Sequence, residues 1–118
     1  MKTLKVYTYE GCDTCRKALK FLNERKIAHE VIPIREQPPT LAELKAMLER
    51  YDGNLRKLFN TSGLDYKALN IKDTLPGMSP TEALKLLASN GRLVKRPFVV
   101  GANVGMVGFD AEVWHKVL

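Results

Sequence analysis

The chain has 118 residues, of which 27% are charged, and a formal net charge of +6 at pH 7. This is the length of one ordinary domain, which buries roughly two-thirds of its unfolded surface and needs no disulfide framework to fold. The excess of Lys and Arg is mild and spread along the chain, so direct binding to nucleic acid is not expected. No stretch approaches the ~20 apolar residues of a membrane span, and the apolar run after Met1 is shorter than that of a signal peptide. We therefore predict one domain over residues 1–118, a cytoplasmic monomer that does not bind membranes.

The first third of the chain predicts a strand, a helix and a second strand. Residues 3–8 are rich in Val, Leu, Tyr and Thr, which favour strands. Residues 13–26 change to helical spacing, with apolar side chains at positions 15, 18, 19 and 22. A second extended run, residues 28–34, follows a very short connection. Such a unit implies two parallel strands joined by a right-handed crossover.

The middle of the chain predicts a helical insertion over about residues 38–92. Thr40 and Glu43 have the spacing of a capping box, which predicts that a helix begins there. Gly53 is expected to end this helix. We expect a loop at residues 60–63 and a short helix at 65–69. A stronger helix begins at Ser79, with Pro80 at its first position and Glu82 completing a capping box, and ends at residues 90–91.

The last quarter of the chain returns to strands. Residues 98–100 and 104–107 are apolar runs joined by a three-residue hairpin loop, so they should pair antiparallel. Asp110 can cap a final helix, and its predicted apolar face consists of Val113, Trp114, Val117 and Leu118. The order βαβ, helices, ββα predicts an α/β chain of thioredoxin-like fold with a mixed four-stranded sheet.

The two cysteines, Cys12 and Cys15, lie three positions apart where the first strand gives way to the first helix. In a reducing compartment such a pair is more often catalytic, redox-sensing or metal-binding than structural, although a cysteine can also be a small buried hydrophobe. The helix N-terminus favours a thiolate at Cys12, and Arg16 and Lys17 add positive charge that Asp13 opposes. Cys15 falls on the apolar stripe and fits a resolving thiol.

Metal binding is the alternative for the two cysteines. A structural zinc site needs four ligands, and the remaining candidates, His29 and His115, are isolated in the sequence. No metal site is therefore expected, and neither histidine is expected to act as a base for Cys12.

Four short motifs together resemble the arsenate reductase/Spx family of thioredoxin-like proteins, including its MgsR-type members with two cysteines. They are CDTC (residues 12–15), FNTSG with Tyr66 (59–63), RP (96–97) and VGF (107–109). The resemblance implies that Pro97 is cis and packs against the redox cysteine, and that Arg96 faces the anion in the active site. It also implies substrate contacts at Gly11, Thr14 and Pro97.

The chain departs from the arsenate reductases of that family in two ways. Those enzymes have one catalytic cysteine in an Asn-Pro-x-Cys loop, where this chain has residues 9–12 (YEGC), and three arginines that hold the oxyanion. Only Arg96 has a counterpart here, because the other two positions fall at residues 60–62 and near 107–108. Arsenate reduction is therefore the least expected activity.

The chain is closer to the Spx-like regulators, in which the cysteine pair is an oxidation switch. The resemblance implies that Gly53 could contact the α subunit of RNA polymerase, although a helix stop explains the same glycine. We expect the chain to lack the C-terminal tail of Spx, since the sequence ends at Leu118 after the last predicted helix.

The sequence thus predicts a thiol–disulfide oxidoreductase with Cys12 as nucleophile, Cys15 as resolving thiol and Arg96 as the residue that orients the partner's anion. The substrate is a small molecule or a protein with a thiol or disulfide. No bound cofactor is expected, and an external thiol reductant such as glutathione with glutaredoxin, or thioredoxin, would reset the pair. A redox-responsive transcription regulator is the alternative.

Overall fold

The computed structural model describes residues 3–118, so Met1 and Lys2 of the predicted domain lie outside the described residues. Its mixed sheet has the strand order β2-β1-β3-β4, with β1 at Leu4–Thr8, β2 at His29–Pro33, β3 at Phe98–Val100 and β4 at Gly105–Val107. β1 runs parallel to β2 and antiparallel to β3, which pairs antiparallel with β4. The predicted mixed four-stranded sheet is confirmed.

Six α-helices accompany the sheet in the described part of the chain. They are α1 (Asp13–Glu24), α2 (Leu41–Arg50), α3 (Leu64–Ala68), α4 (Ile71–Thr74), α5 (Pro80–Ser89) and α6 (Ala111–Val117), with single 3₁₀ turns at Leu55–Leu58, Leu75–Gly77 and Gly91–Leu93. The capping boxes predicted from Thr40 and Ser79 are both formed. The predicted short helix at 65–69 is α3, displaced by one residue.

Each face of the sheet carries its own apolar core, because side chains alternate between the two faces along every strand. Val6, Val99 and Met106 are neighbours across the sheet and pack with α1 and α6 around the buried Trp114. Tyr7 and Phe98 point to the opposite face and pack with the insertion. Helices therefore cover the sheet on both sides, and none of the described helices has the length and apolar character needed to cross a membrane.

The apolar face predicted for α6 is narrower than expected. Trp114 is only 1% exposed, but Val113 and Val117 are 46% and 48% exposed, so their predicted burial is wrong. The reason is that this seven-residue helix reaches the core through one large side chain, which packs edge-on against Phe21 and Phe109. Leu118 is half-buried against the same cluster.

Candidate functional site

The candidate site lies at one edge of the sheet, where β1 and β2 end and β3 begins. Tyr7 near the end of β1 pairs with Phe98, the first residue of β3. The backbone N–H of Ile34 donates to the carbonyl of Thr8 over 2.9 Å, which continues the pairing of β2 with β1. The segments 9–12, 34–35 and 96–97 consequently meet at this edge.

Cys12 caps the N-terminus of α1. Its backbone is extended, and its Sγ accepts a hydrogen bond from the backbone N–H of Cys15 over 3.3 Å. Its own N–H donates to the carbonyl of Tyr9 over 3.0 Å. The sulfur thus has the role that a Ser or Asp oxygen has at other helix starts. Because the residue is only half-buried, the sulfur combines contact with the helix N-terminus and access from solvent.

Cys15 lies one turn further into α1 and is 1% exposed. Burial is the main cause that raises the pKa of its thiol to about 12, and a hydrogen bond and negative charge at Cys12 act in the same direction. A backbone hydrogen bond from Tyr9 and the positive charge of Arg96 act against the rise in this pKa. Cys15 is therefore a protonated thiol at neutral pH, as its place on the apolar stripe indicated.

Arg96 and Pro97 directly precede β3 in the chain. The peptide bond between them is cis, as the family resemblance implied, and Pro97 is buried. The guanidinium of Arg96 lies 5.0 Å from the centre of the Tyr9 ring and acts on the titration of Cys15. The structure thus places Arg96 against the cysteine loop and within electrostatic reach of Cys15, and Pro97 is its buried neighbour in the chain.

The two remaining residues of the predicted substrate site lie on the exposed side of the cysteine loop. Gly11 is exposed, and a Cβ built on it would lie 3.0 Å from Cε2 of Tyr9, so the glycine makes room for that ring. Thr14 is exposed in the first turn of α1. In the same turn Arg16 pairs with Asp13, so much of the positive charge expected from Arg16 is neutralised locally.

Gly53 is placed at the end of α2 rather than beside the cysteines. It has φ +78°, and its N–H donates to the carbonyl of Leu48 over 2.9 Å, while the N–H of Asp52 donates to Glu49 over 3.2 Å. These two bonds form a Schellman motif, which satisfies the last carbonyls of the helix. The left-handed residue of this motif is Asp52 at φ +56°, and Gly53 follows it with a positive φ of its own, which glycine adopts without strain. The end of α2 therefore explains the glycine.

Tyr9 and Arg35 belong to the site but were missed in the sequence. The Arg35 guanidinium stacks 3.7 Å from the centre of the Tyr9 ring, on the loop that leads to Cys12. Arg35 directly follows Ile34, the residue that extends the pairing of β2 with β1. A parallel strand that ends beside β1 was the available signal, because the carboxyl ends of parallel strands meet at one edge of a sheet.

The chain resembles known proteins along its whole length. The ArsC family model matches residues 7–117. The uncharacterised protein YusI of Bacillus subtilis is 48% identical, with 97% of each chain covered. The global transcriptional regulator Spx of Enterococcus faecalis is 30% identical, with 98% of this chain and 86% of the regulator covered.

An arsenate reductase of Neisseria meningitidis is 29% identical, with 100% of each chain covered. Among solved structures, an ArsC family related protein from Bacteroides fragilis has a TM-score of 0.91 with this chain, at 41% identity and with 98% of each chain covered. The family that the sequence motifs suggested is confirmed, and the chain belongs to the ArsC family.

Proposed function

We propose that this chain is a cytoplasmic thiol–disulfide oxidoreductase in which Cys12 attacks and Cys15 resolves. The observation that carries the proposal is the contrast between the two thiols: Cys12 is accessible at the helix N-terminus, whereas Cys15 is buried and its pKa is raised to about 12. A reduced pair with one accessible and one protected thiol suits sequential exchange, since only the first sulfur meets the substrate.

The proposed reaction transfers two electrons from the cysteine pair to a disulfide. The Cys12 thiolate attacks one substrate sulfur, the substrate S–S bond breaks, and the first substrate thiol leaves with a proton. Cys15 then loses its proton and attacks Sγ of Cys12, which releases the second thiol and leaves a Cys12–Cys15 disulfide. An external dithiol reduces this disulfide and returns the enzyme to its starting state.

Arg96 and Pro97 have supporting roles in this scheme. Arg96 orients an anionic group of the substrate and stabilises the Cys15 thiolate as it forms, because its charge opposes the rise in the pKa of that thiol. Buried Pro97 shapes the wall of the groove next to the cysteines.

The test is to trap the mixed disulfide. Cys15→Ser, treated with a small disulfide, should retain one substrate thiol per chain, whereas Cys12→Ser should retain none. The wild type should lose two hydrogens as it forms the internal disulfide, which mass spectrometry detects. Equal trapping by both variants, or only disulfides between chains in the wild type, would reject the assignment of nucleophile and resolving thiol.

A redox-responsive regulator is the second candidate, since the Spx of Enterococcus faecalis is described as a global transcriptional regulator. The observation in its favour is that Gly53 is exposed, with open space around the position of a Cβ. The C-terminal domain of the RNA polymerase α subunit is the partner to test. We expect no binding, because the positive φ of Gly53 at the end of α2 already accounts for a glycine at this position.

Two substitutions at Gly53 separate a contact from a backbone effect. Gly53→Ala and Gly53→Arg share the cost of a Cβ at φ +78°, but only Gly53→Arg adds bulk and charge to the surface. The regulator would be favoured if calorimetry showed micromolar binding to the polymerase domain, and if Gly53→Arg abolished this binding while Gly53→Ala retained it. The affinity for that domain should then also differ between the reduced and the oxidised protein.

Arsenate reduction is the third candidate. It is supported by the similarity to arsenate reductases. The argument against it is that Asn60, Thr61 and Ser62 occupy a position where the resemblance implies an arginine that holds the oxyanion. Loss of one preorganised donor from an anion site costs about 10²–10³-fold in rate. Weak or absent turnover of arsenate with glutathione and glutaredoxin is expected.

A further inference from the structure

Three arginines line one cavity beside the cysteine loop. Arg35, Arg92 and Arg96 come from three different segments of the chain and line a space of about 540 Å³, together with Asn60, Ser62 and Asp65. A volume of this size suits a small molecule, since ligand pockets range over roughly 300–1,000 Å³. Of the three arginines, only Arg96 stands at a position where the resemblance to arsenate reductases implies an arginine.

A close backbone contact holds two of these arginines together. A Cβ built on Gly91 would lie 1.9 Å from the carbonyl oxygen of Ile34, so only glycine permits the observed packing. Arg35 and Arg92 are the residues that follow these two positions in the chain. The contact thus fixes the backbone of both arginines side by side, and their exposed side chains line one cavity.

The wall of this cavity carries more positive than negative charge, and its three arginines form no ion pair in the described residues. The two ion pairs found within residues 3–118 are Lys5–Glu43 and Arg16–Asp13, and neither uses an arginine of the cavity. Asp65 is the one acidic residue of its wall and already accepts a hydrogen bond from Asn90 over 2.9 Å. Guanidinium groups without acidic partners are suited to bind carboxylates, often through two hydrogen bonds each.

Tyr9 connects the cavity to the reactive sulfur. Arg35 and Arg96 both lie against its ring, at 3.7 and 5.0 Å from the ring centre. The carbonyl of the same residue holds the N–H of Cys12. Two of the cavity's arginines therefore pack against the loop that leads to the nucleophile.

We propose that Arg35 and Arg92, together with Arg96, form a carboxylate-binding subsite, so that the preferred substrate is a small disulfide with two or more carboxylates. This inference rests on the proposed function and names its substrate class. The two electrons still come from Cys12 and Cys15, the substrate leaves as two thiols, and Arg35 and Arg92 only bind and orient it.

The kinetic test compares two disulfides that differ only in charge, dithiodipropionic acid and its diamide. Reduced protein is mixed with each in single-turnover experiments without added reductant, and the rates are divided by those of dithiothreitol with the same disulfides. The wild type should prefer the dicarboxylate about tenfold, since charge-assisted hydrogen bonds are worth more than neutral ones. Added salt should reduce this preference.

Arg92→Gln and Arg35→Gln should each lower the preference about three- to tenfold. Lys57→Gln is the matched control, because it removes one exposed positive charge that lines a neighbouring cavity instead, and it should keep the preference. Equal normalised rates in the wild type, or the same loss in Lys57→Gln as in Arg92→Gln, would overturn the subsite.

A binding experiment separates failure of the subsite from failure of the proposed function. Suberic acid has the chain length of dithiodipropionic acid but no sulfur, so it tests the arginines without exchange. Its titration should shift the Nε resonances of the three arginines in NMR spectra, and suberamide should not shift them. Binding of suberic acid without oxidation of the cysteines by either disulfide would retain the subsite and reject the oxidoreductase. Absence of suberic acid binding would reject the subsite.

Discussion

Among single residues, Cys15 has the titration behaviour that matters most for turnover. Burial is the first cause of its raised pKa, but a part of the rise comes from the Cys12 sulfur. Once Cys12 is in a mixed disulfide, its negative charge is gone while Arg96 remains. The pKa of Cys15 should therefore fall when the resolving thiol is needed.

The first prediction concerns the pH dependence of this resolving step. Because the Cys15 thiolate is the attacking form and stays a minor species below its pKa, decay of the mixed disulfide should accelerate about tenfold per pH unit between about pH 6 and 8. Acid quenching followed by mass spectrometry measures the decay. Arg96→Gln should slow it at every pH, whereas a decay rate independent of pH would contradict the protonated state of Cys15.

The second prediction concerns Gly91, whose contact with Ile34 joins two segments of the site. Gly91→Ala should destabilise the fold by ~1–3 kcal/mol or more, since the added methyl group meets backbone that must move. Gly77→Ala is the control, because a Cβ there meets nothing within 4 Å. Urea unfolding measures both, and equal stabilities of the two variants would argue against the close packing.

The roles of single residues could be predicted only where they depend on local sequence. The difference in burial between Cys12 and Cys15 follows from their positions at the start of one helix, and the structure confirms that difference. Tyr9 and Arg35 were missed because stacking between them depends on how β2 ends beside β1. Arg92 was missed for the same reason, since its neighbour Gly91 contacts a residue 57 positions earlier.

At the scale of elements, α1 ends in the same way as α2, and in both the left-handed residue is not a glycine: it is Lys26 in α1 and Asp52 in α2. Lys26 has φ +56°, the N–H of Ile27 donates to Leu22 over 3.0 Å, and the N–H of Lys26 donates to Asn23 over 3.2 Å. Leu22 is buried in the cluster against which Ile27 packs. This is a Schellman motif with a side chain in the left-handed region, which costs energy that glycine does not incur.

The third prediction is that Lys26→Gly stabilises the protein by ~0.5–1 kcal/mol, because the relief of the left-handed conformation exceeds the added entropy of the unfolded chain. Lys26→Ala removes the same charge but keeps a Cβ, so its stability should stay close to that of the wild type. Urea unfolding measures both changes. A gain that both variants share would assign the effect to charge instead of backbone conformation.

The helices and strands could be predicted where a capping residue or a long run of regularly spaced apolar residues marks them. Thr40 with Glu43, Ser79 with Pro80, and Asp110 begin α2, α5 and α6 as predicted. The short helix α4 and the 3₁₀ turns were not predicted, because four residues or fewer give too little periodicity. The exposure of Val113 and Val117 was also missed, since the width of a buried face depends on what packs against it.

At the scale of the whole molecule, a polar network joins the insertion to the sheet. Glu43 of α2 accepts hydrogen bonds from Tyr7 over 2.6 Å and from Lys5 over 3.1 Å, both residues of β1. Burial favours the protonated acid, but these donors and the backbone N–H of Thr40 outweigh it, so the pKa of Glu43 is lowered. The Tyr7 pKa is raised, first by burial and then by its bond to Glu43.

These two shifts predict how the stability contributed by Tyr7 depends on pH. A lowered pKa of Glu43 adds stability that is present above its usual value of 4.5 and is lost as the pH falls through its value in the folded protein. A raised pKa of Tyr7 adds stability that is present below about 10 and is lost at higher pH. Comparison of the wild type with Tyr7→Phe should therefore show a plateau of ~1–2 kcal/mol at neutral pH.

Urea unfolding of wild type and Tyr7→Phe between about pH 3 and 7 tests the acidic side of this plateau. Tyr51→Phe is the matched control, because the Tyr51 hydroxyl accepts a bond from the backbone N–H of Val107 over 3.0 Å, and a backbone amide does not titrate in this range. The advantage of the wild type over Tyr7→Phe should shrink below about pH 4.5, while its advantage over Tyr51→Phe should stay constant. If both differences were flat, the carboxylate of Glu43 would not be what ties the insertion to β1, and apolar packing around Tyr7 would have to hold the two together.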